Sequence, residues 1–335
     1  MAASIGFGII GLGRMGWFHA SSLRDRIAGA HLVAAAVAPA DRDRMLADGS
    51  APCDLVEDAG ALLSHPGVDA VIVVSPSSLH HKHITRAAAA GKAIFSEKPI
   101  ADSVASARDA AAAVARAGAP FQIGFQRRFD PGYLEARRLI ASGAIGDVEM
   151  FRGQSCDRMP PVEFLRTSGG LFWDLAIHDF DAARFLTGQE VTEVFAVGSV
   201  VTEPRLREFD DIDYGIVTLR FANGSIGVCQ ASWRAPWGYD IRAEVHGSLG
   251  KVVTEVDDKY PARLYRNLTI EAGRHDQFVE RFGEAYTREV QAFVDALRSG
   301  TAPTPGAEDA LRAVEISDAA TRSRREGRWV ATGAG

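Results

Sequence analysis

The chain has 335 residues, 47% of them hydrophobic and 24% charged, and a formal net charge of -6, which suits two globular domains better than one. That acidic balance, with no stripe of Lys or Arg to follow a phosphate backbone, excludes nucleic acid as the main partner. No apolar run approaches the roughly 18 residues of a membrane span and no basic segment precedes a signal-like core, so a cytoplasmic protein that does not enter the membrane is expected. Cys53, Cys156 and Cys229 are odd in number and far apart, which suggests neither a disulfide framework nor a zinc site.

Ile5 to Ile10 is a short apolar run that leads into Gly11-Leu12-Gly13-Arg14-Met15-Gly16 and then a helical pattern through Phe18 and Leu23. A strand, a glycine turn and a helix form the context in which G-x-G-x-x-G binds a dinucleotide. Gly11 would make the turn, Gly13 would let a pyrophosphate approach the backbone, and Gly16 would let helix and strand pack closely. The helix N-terminus, with Arg14 and Met15, would face the phosphates.

A second strand is predicted from His31 to Ala38, with a helix starting at Asp41. The acid that accepts a ribose hydroxyl belongs at the end of this strand, and Pro39 stands there instead. Asp41 could take that role and keep NAD, while Arg42 and Arg44 could meet a 2′-phosphate and favour NADP. Asp41 as a plain helix cap beside solvated arginines is the alternative.

Asp69 to Ser75 reads as a parallel strand covered on both faces, and it ends at Ser75-Pro76, where such strands line a coenzyme crevice. A helix follows from Leu79 to Ala90. His80, at its start, would reach the nicotinamide side, whereas His80-His81-Lys82-His83 is poorly spaced for a metal. Lys92 to Ser96 is the next strand, with Glu97-Lys98-Pro99 at its C-terminal end, where Pro99 stiffens the turn that aims Lys98. A helix from Ser103 to Ala117 and a strand from Pro120 to Gly124 complete a doubly wound parallel sheet of about six strands.

Beyond Gly124 the texture changes. A helix around Pro131 to Ile140 precedes alternating segments at Val148–Gln154, Val191–Val201, Tyr214–Phe221, Ser225–Trp233 and Ile241–Val245, with Asn223-Gly224 as a hairpin turn. These predict a large, open, mostly antiparallel sheet in an α+β domain over 124–335, following a Rossmann domain over 1–123. Helices over Phe278–Leu297 and Ala307–Arg324 close the chain.

Within the second part, Ser168 to Asp181 reads as one helix that sets Asp174 and His178 four apart on a face shared with Asp181. A carboxylate beside an imidazole fixes its tautomer and raises its proton affinity, as a general base near neutral pH requires. A structural pair at the edge of a core is the alternative reading of the same residues.

In order, Gly11-x-Gly13-x-x-Gly16, Glu97-Lys98-Pro99, Gln126-Arg127-Arg128-Phe129-Asp130 and Gly169-Gly170-x-x-x-Asp174-x-x-x-His178-Asp179 resemble the glucose-fructose oxidoreductase and inositol dehydrogenase family. The likeness covers nearly the whole chain. GFQRRFDPGY, IHDFDAARFL and WGYDIRAEVHG are most similar to the inositol 2-dehydrogenase branch. The resemblance implies an NAD(P)-dependent dehydrogenase of a cyclic polyol, with myo-inositol foremost and another inositol, an aldose or a sugar acid as alternatives. A nucleotide-binding sensor without turnover is the rival from another class. The family's catalytic lysine corresponds to Lys98 and its Asp and His to Asp174 and His178, with Arg127, Asp157 and Tyr239 as further substrate contacts. The resemblance also implies a homodimer or homotetramer assembled through the sheet.

Overall fold

The computed structural model describes residues 4–255 and 258–333, and the chain divides into two compact units. The first runs to Phe125 and is completed by Tyr286–Val314, and the second takes Gln126–Ala285 and the chain from Glu315 onward. The expected boundary at 123/124 lies close to the first division, but the return of Tyr286–Val314 was not foreseen. Its cause is apolar: Val290, Phe293 and Val294 join Phe7, Ile9, Leu23, Ile72 and Phe95 in one buried cluster.

In the first unit the order is β1 (Ile5–Ile10), α1 (Arg14–Asp25), β2 (Ala30–Ala36), α2 (Pro39–Asp48), β3 (Asp54–Val56), α3 (Ala59–Leu63), β4 (Ala70–Val73), α4 (His80–Ala89), β5 (Ala93–Glu97), α5 (Val104–Ala117) and β6 (Phe121–Gly124). Among the described residues these strands make a six-stranded parallel sheet in the order β3-β2-β1-β4-β5-β6. This is the doubly wound dinucleotide-binding order, with the connections reversing direction between β1 and β4. Ala70 to Val73 are fully buried, as a central strand covered on both faces requires. The second strand stops at Ala36, short of the expected Ala38. Pro39 takes the first helical position, where its fixed φ and missing N–H cost nothing.

The second unit contains α6 (Pro131–Ala141), β7 (Val148–Cys156), α7 (Val162–Ser168), α8 (Leu171–Asp174), α9 (Ile177–Thr187), β8 (Val191–Ser199), β9 (Tyr214–Phe221), β10 (Ile226–Ser232), β11 (Asp240–Gly247), β12 (Gly250–Thr254) and the hairpin β13 (Arg263–Arg266) and β14 (Thr269–Ala272). Helices α10 (Phe278–Ser299) and α11 (Ala307–Glu326) and the short β15 (Val330–Ala331) end the chain. Among the described residues the large sheet has seven strands in the order β12-β11-β7-β10-β9-β8-β15. Its pairs are antiparallel except β7 with β10, so the expected mostly antiparallel sheet is present. Asn223-Gly224 turns β9 into β10, with Gly224 at φ 87° and its N–H donating to Phe221 O at 2.9 Å.

One face of this sheet is covered by a core that includes Tyr133, Phe151, Phe180, Leu219 and Phe221. The other leaves Val197, Ile216, Ile226 and Val253 exposed. Strands β3, β12, β13, β14 and β15 have no counterpart in the sequence reading, because short or exposed strands carry little apolar alternation. Among the described residues no helix is long and apolar enough to cross a membrane.

Candidate functional site

The turn from β1 into α1 is shaped by three glycines, each for its own reason. Gly11 sits at φ 104°, a region that favours glycine. A Cβ on Gly16 would lie 2.2 Å from Gly11 O, so only glycine lets the helix close onto the strand. A Cβ on Gly13, by contrast, would meet nothing within 4 Å among the described residues. Space that neither sterics nor strain demands is the cradle into which a pyrophosphate can approach the backbone. Gly13 is the N-cap of α1, and among the described residues no side chain caps that end and no acid stands in its first turn. The free N–H groups and the positive end of the helix therefore suit a phosphate. Arg14 is exposed beside them and Met15 is half-buried.

At the far end of β2, Asp41 lies in the first turn of α2, exposed and loosely paired with Arg44 at 3.5 Å. Arg42 is half-buried, and its Nε is shielded from water with no hydrogen-bond partner among the described residues. An acid and an arginine thus share the helix that replaces the usual strand-end carboxylate.

The carboxyl ends of β4 and β5 carry Ser75, Pro76, His80, Glu97 and Lys98. Pro76 is exposed and Ser75 half-buried. Ser75 Oγ lies 3.0 Å from His83 Nδ1. Burial lowers His83 to about 4, which keeps it neutral near pH 7. His80 departs from expectation. Its Nδ1 is 2.7 Å from Pro99 O and its Nε2 is 2.7 Å from Ser75 O, so both ring nitrogens face backbone carbonyls and the ring N–H donates to one of them. Instead of offering a nitrogen to a coenzyme, the ring braces the Lys98-Pro99 turn against the end of β4. Burial also lowers its pKa. His81 pairs instead with Asp109 at 2.7 Å, so the histidine run does not converge on one point.

Lys98 follows the last residue of β5, half-buried, before a cis bond to Pro99. Glu97, 8% exposed, is held from behind: His19 Nε2 on α1 lies 2.8 Å from its Oε1.

In the second unit, Ser168 to Asp181 is two helices, not one. The Ala176 N–H reaches Leu171 O at 3.0 Å, a five-residue step, and His178 N–H then reaches Leu175 O at 3.3 Å, a three-residue step. This widened and then tightened joint separates α8, which ends at Asp174, from α9, whose first turn holds His178. Irregular helical joints of this kind re-aim side chains and are frequent at functional sites. Asp174 is half-buried and His178 is 9% exposed.

Asp181 lies further along α9. It accepts two bonds from Arg128, at 2.9 and 2.7 Å, while Asp179 accepts from Arg127 at 2.7 Å. The tandem arginines of the short turn Gln126–Phe129 thus grip two alternate acids of α9. Arg127, 2% exposed, also donates to Ser155 Oγ at 2.8 Å. Burial is the largest influence and works against its charge, but the Asp179 carboxylate together with Tyr133 and Tyr239 raises its pKa on balance. It braces α9 from the interior.

Asp157 and Tyr239 are brought together by register. Cys156 on β7 pairs with Asp240 on β11 in an antiparallel ladder, so the next residue of one strand and the preceding residue of the other emerge at the same sheet end. Tyr239 is buried, its ring edge-on to Phe282, and burial and then the Asp157 charge raise its hydroxyl's pKa.

Two residues that matter here had no place in the sequence reading. His19 sits on the buried side of α1, three residues past the last glycine of the motif. Glu289 is fully buried beside Val290 on α10, and an acid on the apolar stripe of an amphipathic helix was the available signal.

Two family models match this chain: "Oxidoreductase family, NAD-binding Rossmann fold" over residues 5–125 and "Oxidoreductase family, C-terminal alpha/beta domain" over 137–332. Scyllo-inositol 2-dehydrogenase (NAD(+)) of Bacillus subtilis is 37% identical over 95% of this chain and 94% of its own length. Inositol 2-dehydrogenase of Rhizobium meliloti is 38% identical over 98% and 99%. The structure of scyllo-inositol dehydrogenase from Lactobacillus casei with bound NAD(H) and scyllo-inositol superposes at a TM-score of 0.92 with 32% identity, covering 99% of this chain and 100% of that one. With the glycine cradle, the strand order and matches that span both units, this chain belongs to the glucose-fructose oxidoreductase, inositol dehydrogenase and MocA family of NAD-dependent oxidoreductases.

Proposed function

We propose that the chain oxidises a secondary hydroxyl of a cyclic polyol, an inositol in the first place, with NAD as coenzyme. The observation that carries this reading is the open backbone at Gly13 over the N-terminus of α1, on the same sheet whose carboxyl edge presents Lys98. Near full-length similarity to dehydrogenases of myo- and scyllo-inositol supports the substrate class. When bound, NAD supplies the hydride acceptor.

The protein must then remove the hydroxyl proton and stabilise the oxygen as the hydride leaves. His178 takes that proton, the Lys98 ammonium stabilises the developing negative oxygen, and Asp174 orients His178 or Lys98. Gly11, Gly13, Arg14, Met15 and Gly16 receive the pyrophosphate, Asp41 and Arg42 the adenosine ribose, and Ser75, Pro76 and Glu97 line the nicotinamide side. Asp157 and Tyr239 hold substrate hydroxyls, each of which needs a partner once desolvated, and Arg127 fixes α9 behind them. The exposed apolar residues on the open sheet face support a homo-oligomer assembled through that face.

The test is reduction of NAD, followed by absorbance, with myo-inositol, scyllo-inositol and a panel of aldoses and sugar acids, repeated with NADP. Turnover of an inositol with NAD is the expected result. Turnover of an aldose alone would move the substrate, faster turnover with NADP would assign Arg42 to a 2′-phosphate, and coenzyme binding without turnover on any polyol would overturn the reading.

A further inference from the structure

His19, Glu97 and Glu289 meet in the first unit from α1, β5 and α10, all three buried, with one ligand atom of each within 4.8 Å of the others. His19 Nε2 bonds Glu97 Oε1 at 2.8 Å. Both carboxylate oxygens of Glu289 and the Nδ1 of His19 are shielded from water and have no hydrogen-bond partner among the described residues. The wall around them is aromatic: the His19 ring stands edge-on to Phe18, Phe95 and Tyr286 at 5.9, 5.6 and 6.5 Å. Gln122, from β6, donates to the Glu289 backbone oxygen at 2.8 Å and not to its carboxylate.

Two ionised carboxylates cannot share such a site, because each charge and the apolar wall disfavour the other. Either a cation or a proton must neutralise one of them. A divalent cation needs four or more donors, and among the described residues only three such side chains converge here, two of them already joined by a hydrogen bond. A proton needs no further ligand.

We propose that Glu97 and Glu289 hold one proton between them, kept on Glu289, and that His19 thereby fixes Glu97 as the ionised carboxylate presented to the coenzyme at the carboxyl edge of the sheet. His19 and Glu289 are positioning residues, and the coenzyme half of the proposal rests on the NAD reading above. His19 from α1 and Glu97 from β5 face Glu289, and the Tyr286 ring of α10 stands against the His19 ring. Burial first, and then the Glu97 charge, hold the Glu289 carboxyl well above the usual carboxylate range. The chemistry that follows is selective: an ionised carboxylate with an exposed edge accepts hydroxyl donors, as a ribose offers, and repels phosphate.

The test uses the full-length protein in two arms. In the first, infrared spectra at pH 7 without coenzyme should show a carboxylic-acid C=O band that disappears in Glu289→Gln. The same band should shift in Glu97→Gln, which leaves the buried acid in place and serves if Glu289→Gln does not fold. A band unchanged in both variants, or a stoichiometric divalent metal in the purified protein, overturns the proton assignment whatever the enzyme oxidises. In the second arm, NADH binding by titration calorimetry should weaken about tenfold in Glu97→Gln and His19→Phe. It should recover to within about threefold of wild type in His19→Gln, which keeps an N–H donor. His19→Phe binding like wild type, or Gln failing to rescue it, overturns the positioning role. Wild-type protein that binds no NADH overturns the coenzyme reading and leaves the infrared arm to decide the proton.

Discussion

The proposed mechanism gives Lys98 and His178 one task each in a single chemical step, so removing either should reduce turnover and spare coenzyme binding. Lys98→Ala and His178→Ala are expected to lose kcat by roughly 10² to 10⁴ while NADH titration stays near wild type. Turnover close to wild type in either variant removes that residue from the chemistry. The glycines make a sharper contrast. A Cβ at position 13 meets only open space, whereas one at position 16 meets Gly11 O at 2.2 Å. Gly13→Val should therefore keep the wild-type melting temperature and lose NADH affinity, while Gly16→Val should lose about 1–3 kcal/mol or more of stability to overpacking. Calorimetric melting and NADH titration on both variants check this. At Glu289 the folded pKa is raised, so the unfolded chain releases its proton first as pH rises. Its favourable contribution is complete below the ordinary glutamate value of about 4.3 and drains away above it, by up to about 1.4 kcal/mol per pH unit. Urea unfolding from pH 5 to 8 should show Glu289→Gln gaining on wild type as pH rises, and parallel curves would refute it.

Elements are positioned here by a few buried charges as well as by apolar packing. The turn Gln126–Phe129 is fastened to α9 by Arg127 on Asp179 and Arg128 on Asp181, with the Arg127 and Asp179 side chains 2% and 1% exposed. Removing one member of such a pair leaves a buried charge uncompensated, so Arg127→Met should cost about 3–5 kcal/mol. Exposed Arg44 and Asp41 are worth about 0–1 kcal/mol, and Arg44→Met should be silent in the same melting experiment. Because α9 also carries His178, Arg127→Met should depress kcat in the fraction that remains folded. That loss would come through misplacement of the base, with NADH binding retained.

Across the whole molecule, the dinucleotide-binding unit is finished by residues near the other end of the chain. Phe293 lies 6.1 Å from Phe7 and 6.0 Å from Phe95, ring centre to ring centre, and Val290 and Val294 flank it in the same cluster. Phe293→Ala should cost about 3–5 kcal/mol. A fragment that ends at Phe125 should remain unfolded by circular dichroism and bind a hydrophobic dye, and linking it to 286–314 should restore a cooperative melt. A folded 1–125 fragment would show that the returning helix is dispensable.

The sequence by itself determined whatever depends on neighbours along the chain. The central parallel strands read correctly because covered strands are continuous apolar runs, and the glycine turn read correctly because Gly11 and Gly16 answer to local demands of backbone conformation and packing. Asn223-Gly224 marked its hairpin through its own turn chemistry, and Lys98 follows the end of a parallel strand, where such sheets present groups. The tertiary structure decided what depends on distant partners. No local pattern tells that α10 completes the first unit, that Arg127 is spent on Asp179, that both His80 nitrogens face carbonyls, or that the Asp174 and His178 helix breaks at Ala176. Least legible was the meeting of His19, Glu97 and Glu289, three polar groups from three elements 78 and more residues apart. Burial turned these ordinary side chains into a proton-holding set, because a charge is costly only once water has been removed from around it.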